Sequence, residues 1–287
     1  MNNLQPGTVM SLSVDREVPF GYFLTDGRDS VLLHQSEIVG EVGLDEEVDV
    51  FLFQDKEGRL AATMNVPDVQ VGRNGWAEVV GVQRGLGVFV NIGVMKDILI
   101  SPDDLPIYQE IWPAEGDKLY MSLKADRNGL LYGKIATEQV IEQITTKAPA
   151  DMKNKDIKGR VYRLLRVGTF LLTEEGYRCF VHESERPKEP RLGALVDGRV
   201  IDVKDDGSLN VSLFPRKQEK MDDDSQKIIA YLEKRNGSMP YGDKSHPDEI
   251  QRRFGMSKAA FKRALGKLMK ERKIRQEDGW TYSADKK

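Results

Sequence analysis

The chain of 287 residues carries three histidines, His34, His182 and His246, and one cysteine, Cys179. None of the histidines stands in the H-E-x-x-H spacing that puts two imidazoles on one helix face for zinc. Walker A, G-x-S-x-G and C-x-x-C patterns are also missing. Asp103-Asp104 and Asp205-Asp206 are adjacent carboxylates of the kind acid–base catalysis uses. Both fall in turn-rich stretches and read as solvated turn residues. RGLGVFVNIG, residues 84–93, contains G-x-G, the start of a phosphate-cradling loop. Strand rather than helix follows it, and the third glycine of the dinucleotide fingerprint is absent at the required spacing. No catalytic residue, metal or cofactor is expected, and the enzyme class left open is a nuclease with scattered acidic ligands.

The glycines have another use. GYFLTDGRDSVLLHQSEI (21–38), GVFVNIGVMKDILISPDDL (87–105) and GTFLLTEEGYRCFVHESER (168–186) share one plan: Gly-x-Phe-Leu/Val, a polar turn, an apolar strand and a short polar segment. An alternating strand precedes each copy and a hairpin follows it, the last around Asp-Gly in VKDDGSL. Five short strands in about 60–70 residues are too few for an open sheet with two covered faces, and closure into a barrel removes the edges. The glycine before each Phe then marks the corner where a long strand bends. Cys179 belongs to the alternating strand RCFVH.

Charge divides the chain. Residues 1–69 hold four Lys or Arg against thirteen Asp or Glu, whereas residues 157–220 hold thirteen against ten and residues 221–287 sixteen against eleven. A basic end of this kind suits a polyanion. No run of 18 apolar residues is present, so no membrane contact is expected. The first residues lack the basic and apolar regions of a signal peptide, and a cytoplasmic location is the expectation.

The G-x-F-V/L and L-V-H-x-S-E pattern resembles the RNA-binding OB-fold repeat named after the largest protein of the bacterial small ribosomal subunit. That resemblance implies a surface platform of two aromatics, a histidine, an acidic residue and an arginine. The first unit matches with Phe20, Phe23, His34, Asp55 and Arg59. The second keeps Phe89 and Asp126 but has Leu86, Ser101 and Leu130 elsewhere; the third keeps Phe170 and His182 but has Val167, Lys204 and Ser208. Bases stack on aromatic faces for about 1–3 kcal/mol each while cations follow the phosphates. The competing reading for each Phe is barrel core, because strand alternation turns one side inward. The first unit has the fullest motif and the least favourable charge. Affinity is therefore expected in the third, with Arg160, Arg163, Arg166, Arg178 and Lys204, and the acidic first barrel is left as a spacer or protein-contact surface.

The sequence predicts barrels over 1–66, 67–137 and 157–220, a helical linker over 138–156 and a separate domain over 221–287. In that last domain the period changes to 3.6. Asp222 to Ser225 should cap a helix bearing Ile228, Ile229 and Leu232 that stops at Asn236-Gly237, and His246-Pro247 should open a second. Gly255-Met256-Ser257 should turn into a third with Phe261, Ala264, Leu265 and Leu268 inward, and a two-stranded ribbon should form around Asp278-Gly279. This is the plan of a winged helix-turn-helix. Residues 251–275 contain ten Lys or Arg against one acid, and Arg252, Lys258, Lys262, Arg263, Lys267, Lys270, Lys273 and Arg275 are the expected contacts.

The fold class expected is thus multidomain: three five-stranded antiparallel β-barrels of OB type, then an α+β winged helix-turn-helix. In this order and length the chain resembles the conserved virulence factor B family of bacterial RNA-binding regulators. The resemblance implies RNA binding, largely through the C-terminal part, and post-transcriptional control. The expected partner is single-stranded RNA, with a DNA-binding regulator acting through the winged helix as the alternative.

Overall fold

The computed structural model describes residues 4–284, with side chains throughout except at 217–220. The chain divides into two compact units, Met1–Phe214 and Pro215–Lys287.

The first unit contains three closed five-stranded barrels. Barrel 1 is built from β1 (Val9–Val18), β2 (Gly21–Thr25), β3 (Ser30–His34), β4 (Glu47–Gln54) and β5 (Leu60–Thr63). Barrel 2 uses β6 (Gly75–Gln83), β7 (Gly87–Asn91), β8 (Ile98–Ile100), β9 (Lys118–Ala125) and β10 (Leu131–Ile135). Barrel 3 uses β11 (Asp156–Leu165), β12 (Gly168–Thr173), β13 (Arg178–His182), β14 (Leu195–Val203) and β15 (Leu209–Ser212). The pairing is antiparallel except at one seam in each barrel: β3 with β5, β8 with β10 and β13 with β15 run parallel. An odd number of strands cannot alternate direction all the way around a ring, so one parallel seam is required.

The corner glycines are set by contact. A Cβ on Gly21, Gly87 or Gly168 would lie 2.1, 2.1 or 2.3 Å from the carbonyl oxygen of Leu33, Ile100 or Val181 on the neighbouring strand. Each first strand also carries a bulge at the same place, between Val14 and Arg16, Val79 and Gly81, and Val161 and Arg163. Bulges bend a strand and re-aim side chains. Apolar residues alternate inward, as with Leu12, Val14, Leu24, Val31, Leu33, Val50 and Leu52 in barrel 1. Phe51 and Phe53 leave that barrel and join the core of barrel 2. Barrel 3 is tied to barrel 2 by Lys118 N–H donating to the Gly193 carbonyl and by Arg191 paired with the buried Asp117.

Three details depart from the sequence expectation. The segment 138–156 is α-helical only over α1 (Glu138–Glu142). The remainder joins barrel 3: Thr146 bridges to Tyr177, and Ala148 enters the barrel core. Ala148-Pro149 ends the apolar period, but the residues beyond it still pair as backbone. Barrel 3 ends its last strand at Ser212 and the second unit begins at Pro215, not after residue 220.

The second unit holds α2 (Lys217–Lys234), β16 (Ser238–Met239), α3 (Pro247–Phe254), α4 (Lys258–Lys270), β17 (Ile274–Glu277) and β18 (Trp280–Ser283). The helix α2 starts five residues before Asp222, and Ser225 is no cap: its hydroxyl donates to the Met221 carbonyl one turn back at 2.7 Å. KQEKM has good helix formers but no apolar period, so periodicity alone misses it. The other caps follow the sequence. The Ser257 side chain accepts from Ala260 N–H, His246 accepts from Asp248 N–H, and Gly255 closes α3 in the left-handed region at φ 68°. The ribbon β17–β18 gains a third strand, β16, on the β18 side. Ile228, Leu232, Ile250, Phe261, Ala264, Leu265 and Leu268 form the core.

Candidate nucleic-acid interface

The hairpin bonds confirm that the three barrels present equivalent positions. Asp55 N–H donates to the Arg59 carbonyl, Asp126 N–H to Leu130 and Lys204 N–H to Ser208, each at 2.9 Å. Likewise Gln35 N–H donates to the Phe20 carbonyl, and Glu183 N–H to Val167. The residues just before the corner stand out from the surface: Phe20 is 48%, Leu86 43% and Val167 57% exposed.

Phe23, Phe89 and Phe170 are half-buried, each set between inward neighbours, as Phe89 is between the buried Val88 and Val90. They lie on the outer faces, not in the barrel cores. The strand register sets a row beside each ring. Phe23 neighbours Leu32 and then Ala61; Phe89 neighbours Leu99 and then Tyr132; Phe170 neighbours Phe180 and then Asn210. Only in the third row is the first ring followed by another.

The histidines do two things. In both His34 and His182 the Nδ1 atom lies 2.8 Å from a serine hydroxyl two residues on and accepts that serine's N–H at 3.2 Å, capping the 3-10 turn. Ser101 caps the matching turn of barrel 2 by accepting Asp103 N–H. The imidazoles are exposed, with Nε2 as the remaining hydrogen-bonding atom.

Barrel 1 closes its own charges. Arg59 donates to Asp55 at 2.7 and 2.9 Å and pairs with Glu57 at 2.7 Å, so the expected free arginine is neutralised. Two hydrogen bonds and the Asp55 charge hold the Arg59 guanidinium above its ordinary pKa. Arg16 covers the Phe23 ring, with its guanidinium carbon 4.4 Å from the centroid.

Barrel 3 differs. Phe170 and Phe180 stand with centroids 5.0 Å apart, and His182 meets Phe180 edge-on at 6.4 Å. The Arg178 guanidinium lies 4.8 Å from the Phe170 centroid and the Lys204 ammonium 5.9 Å from that of Phe180. Val167, Phe170, Arg178, Phe180, Lys204 and Ser208 line a cleft of about 300 Å³. A second of about 250 Å³, beside His182 and Asn210, shares Phe180 and Lys204 with it. Phe180 was not singled out from the sequence, although aligning RCFVH with SVLLH shows an aromatic where barrel 1 has Leu32. Cys179 beneath the cleft is buried, which pushes its thiol up to about 12 and leaves it unreactive.

Arg160 and Arg163 of β11 and Arg178 of β13 do not form a free basic stripe. Arg163 and Arg178 both bind Glu138, at 2.9 and 2.6 Å, and Tyr162 donates to the same carboxylate at 3.1 Å. Burial pushes the Glu138 carboxyl up, but the Arg163 and Arg178 hydrogen bonds outweigh it and hold it below the usual range. Arg160 donates to the Gly193 carbonyl at 2.9 Å. The partners sit 25–40 residues away in sequence, beyond reach of a local pattern.

On the winged helix, Lys262, Arg263 and Lys270 are exposed on one side of α4, with Gly266 between them. Lys258 is half-buried and Arg252 exposed. Lys267 turns toward α2: it is bound to Asp222 and faces Glu271, with 21% of its side chain exposed. Lys273 pairs with Glu271 at 2.9 Å. These two expected contacts are therefore internally compensated. Arg275 lies over Tyr282, which stacks with Trp280 on the ribbon. Of the carboxylate pairs, Asp104 binds Lys124 at 2.6 Å, and Asp206 accepts Ser208 N–H within its own turn. Among the described residues no group of three or more His, Cys, Asp or Glu is placed to hold a metal. None of the described helices is long and apolar enough to cross a membrane.

Known families divide the chain in the same way. Residues 6–65 match the S1 domain, 74–134 the CvfB first S1-like domain, 141–215 the second domain of the virulence regulatory factor CvfB, and 226–282 the CvfB-like winged helix domain. A Bacillus subtilis protein named YitL is 51% identical over 98% of this chain and 94% of its own length. Conserved virulence factor B of Staphylococcus epidermidis is 42% identical over 88% of this chain and 85% of its own. A solved Streptococcus pneumoniae structure, described as a multidomain protein with nucleic acid binding domains, superposes with a TM-score of 0.69 at 36% identity, covering 97% of this chain and 98% of that one. The matched families name S1, S1-like and winged helix domains and no catalytic domain. With three barrels and a winged helix in the order of these relatives, the chain belongs to the conserved virulence factor B family.

Proposed function

We propose that the protein binds single-stranded RNA without transforming it, through the outer face of barrel 3 and the basic face of the winged helix, as a cytoplasmic post-transcriptional regulator. The carrying observation is the Phe170–Phe180 ring pair with Lys204 over Phe180, beside an Arg178 already paired with Glu138. Adjacent half-buried rings on an outer face, with cations over them, suit stacked bases and phosphates, with little sequence preference. The nucleic acid binding domains named for the Streptococcus pneumoniae relative support this reading. Phe20, Phe23, His34 and Phe89 are then secondary contacts, and the acidic barrel 1 is left to protein partners.

The test compares oligouridine with duplex DNA at two salt concentrations. Oligouridine should bind more tightly, with affinity falling as salt rises. Tighter duplex binding would instead support a DNA-binding regulator acting through α4, the reading favoured by Lys262, Arg263 and Lys270 on one helix face.

Gly266 gives the winged helix its own test. A Cβ there would meet no atom within 4 Å, so the fold does not require glycine. Mid-helix glycine costs about 0.5–1 kcal/mol relative to alanine and is used where another backbone comes close. Gly266→Ala should raise the melting temperature by a few degrees yet weaken RNA binding about threefold, less than one extra stacked base is worth. A more stable variant with unchanged affinity would remove α4 from the interface.

A further inference from the structure

Trp76 is the second residue of β6 on barrel 2, away from the Gly87 corner, and is 40% exposed. An exposed indole alone is ordinary; what marks Trp76 is that it is paired with a tyrosine and set beside an anchored arginine. Its ring stands 5.2 Å from Tyr120, its partner across the β6–β9 ladder. On the barrel 3 side, the Arg160 guanidinium lies 5.9 Å from the Trp76 ring while its Nη1 is held by the Gly193 carbonyl. That carbonyl also accepts Lys118 N–H, so Arg160 is anchored at the junction of the two barrels.

A buried cluster joins the ledge to the barrel 3 cleft. Tyr120 packs on a small cluster of Ile141, Tyr162 and Leu172, and Phe170 packs on the same cluster. Tyr162 and Phe170 are 6.0 Å apart. Phe180 and Phe170 thus reach Tyr162 ring to ring, and the cluster that holds Tyr162 also supports Tyr120 and, through it, Trp76. Cations lie by the rings at both ends, Lys204 over Phe180 and Arg178 over Phe170 in the cleft and Arg160 over Trp76 on the ledge.

We infer that Trp76 and Arg160 form a second nucleobase-stacking site, at the junction of barrels 2 and 3, that takes a later base of the same RNA strand held in the barrel 3 cleft. This rests on the RNA-binding reading above. An indole beside a fixed guanidinium offers a stacked base one face and a phosphate one donor, the combination that single-stranded nucleic-acid sites use. A purely structural staple would bury the indole instead.

Strand length separates the two sites. An oligouridine of about 4 nucleotides, near the smallest footprint of one OB barrel, should fill only the barrel 3 cleft, whereas one of about 12 should reach the ledge. In full-length protein carrying Trp280→Phe, with Trp112 buried, the longer strand should quench Trp76 fluorescence and the shorter should not. Trp76→Ala should weaken the longer strand roughly tenfold, the value of about one stacked base, and leave the shorter unaffected. Trp76→Phe should restore most of the loss. Equal affinity of Trp76→Ala and parent for the longer strand, or unmoved fluorescence at saturation, would overturn the site. The fluorescence arm needs no change at Trp76, so a poorly folding alanine variant does not spoil it. If Phe170→Ala/Phe180→Ala leaves binding of the shorter strand intact, the failure belongs to the underlying RNA reading.

Discussion

Barrels 1 and 3 share strand order, bulge, corner glycine and histidine cap, yet their outer faces are in opposite condition. Barrel 1 has the complete set of platform residue types and has spent them on itself. Arg59 is locked between Asp55 and Glu57, Arg16 lies over Phe23, and Leu32 and Ala61 finish the row. Barrel 3 lacks the first aromatic and the acid–arginine pair, and its Arg178 lies over Phe170 as Arg16 does over Phe23, but it holds a second ring, Phe180, with Lys204 over it. Motif completeness counts residue types, whereas binding depends on which donors and ring faces are still open. A guanidinium already bridging two carboxylates contributes little positive potential to a phosphate, and thirteen acids within residues 1–69 oppose the approach.

The sharpest way to break this contrast is to remove the rings from each barrel in turn. Phe170→Ala with Phe180→Ala should weaken oligouridine binding by roughly a hundredfold, two stacked bases at about 1–3 kcal/mol each. Phe20→Ala with Phe23→Ala should change it by less than about threefold, since less than one stacked base is at stake. Fluorescence anisotropy at a single salt concentration reads both. Equal losses would mean that barrel 1 opens its platform when RNA arrives, and the charge argument would fall.

Much of this arrangement was legible in the sequence, and the exceptions have physical causes. The repeat could be read because each corner needs a glycine: a Cβ at Gly21 or Gly87 would sit 2.1 Å from a carbonyl oxygen. The caps of α3 and α4 were legible because they are local; Ser257 and His246 reach no farther than three residues, whereas Ser225, expected as a cap, lies inside α2. The inward stripe of α4 followed from period. What stayed hidden was long-range pairing. Glu138 reaches Arg163 and Arg178 from a five-residue helix, and Lys267 turns to Asp222 on another helix. Charge counts treat these cations as free. Phe180 and Trp76 were passed over for a different reason: neither stands at a position that the repeat's motif names, although both lie on ligand-accessible faces.

The smaller effect concerns the hairpin that distinguishes the two barrels. Lys204 and Ser208 occupy the places of Asp55 and Arg59, joined by the same 2.9 Å backbone bond. Lys204→Asp with Ser208→Arg writes the closed pair of barrel 1 into barrel 3 while leaving Phe170 and Phe180 in place and the number of cations in the hairpin unchanged, its net charge falling by one unit. If availability of the cation matters, and not its number, oligouridine affinity should fall about tenfold and the salt slope by about one unit, the signature of one lost phosphate contact. A variant that keeps its affinity and slope would show that Lys204 is not a phosphate contact, and the difference between the barrels would then rest on the second ring alone.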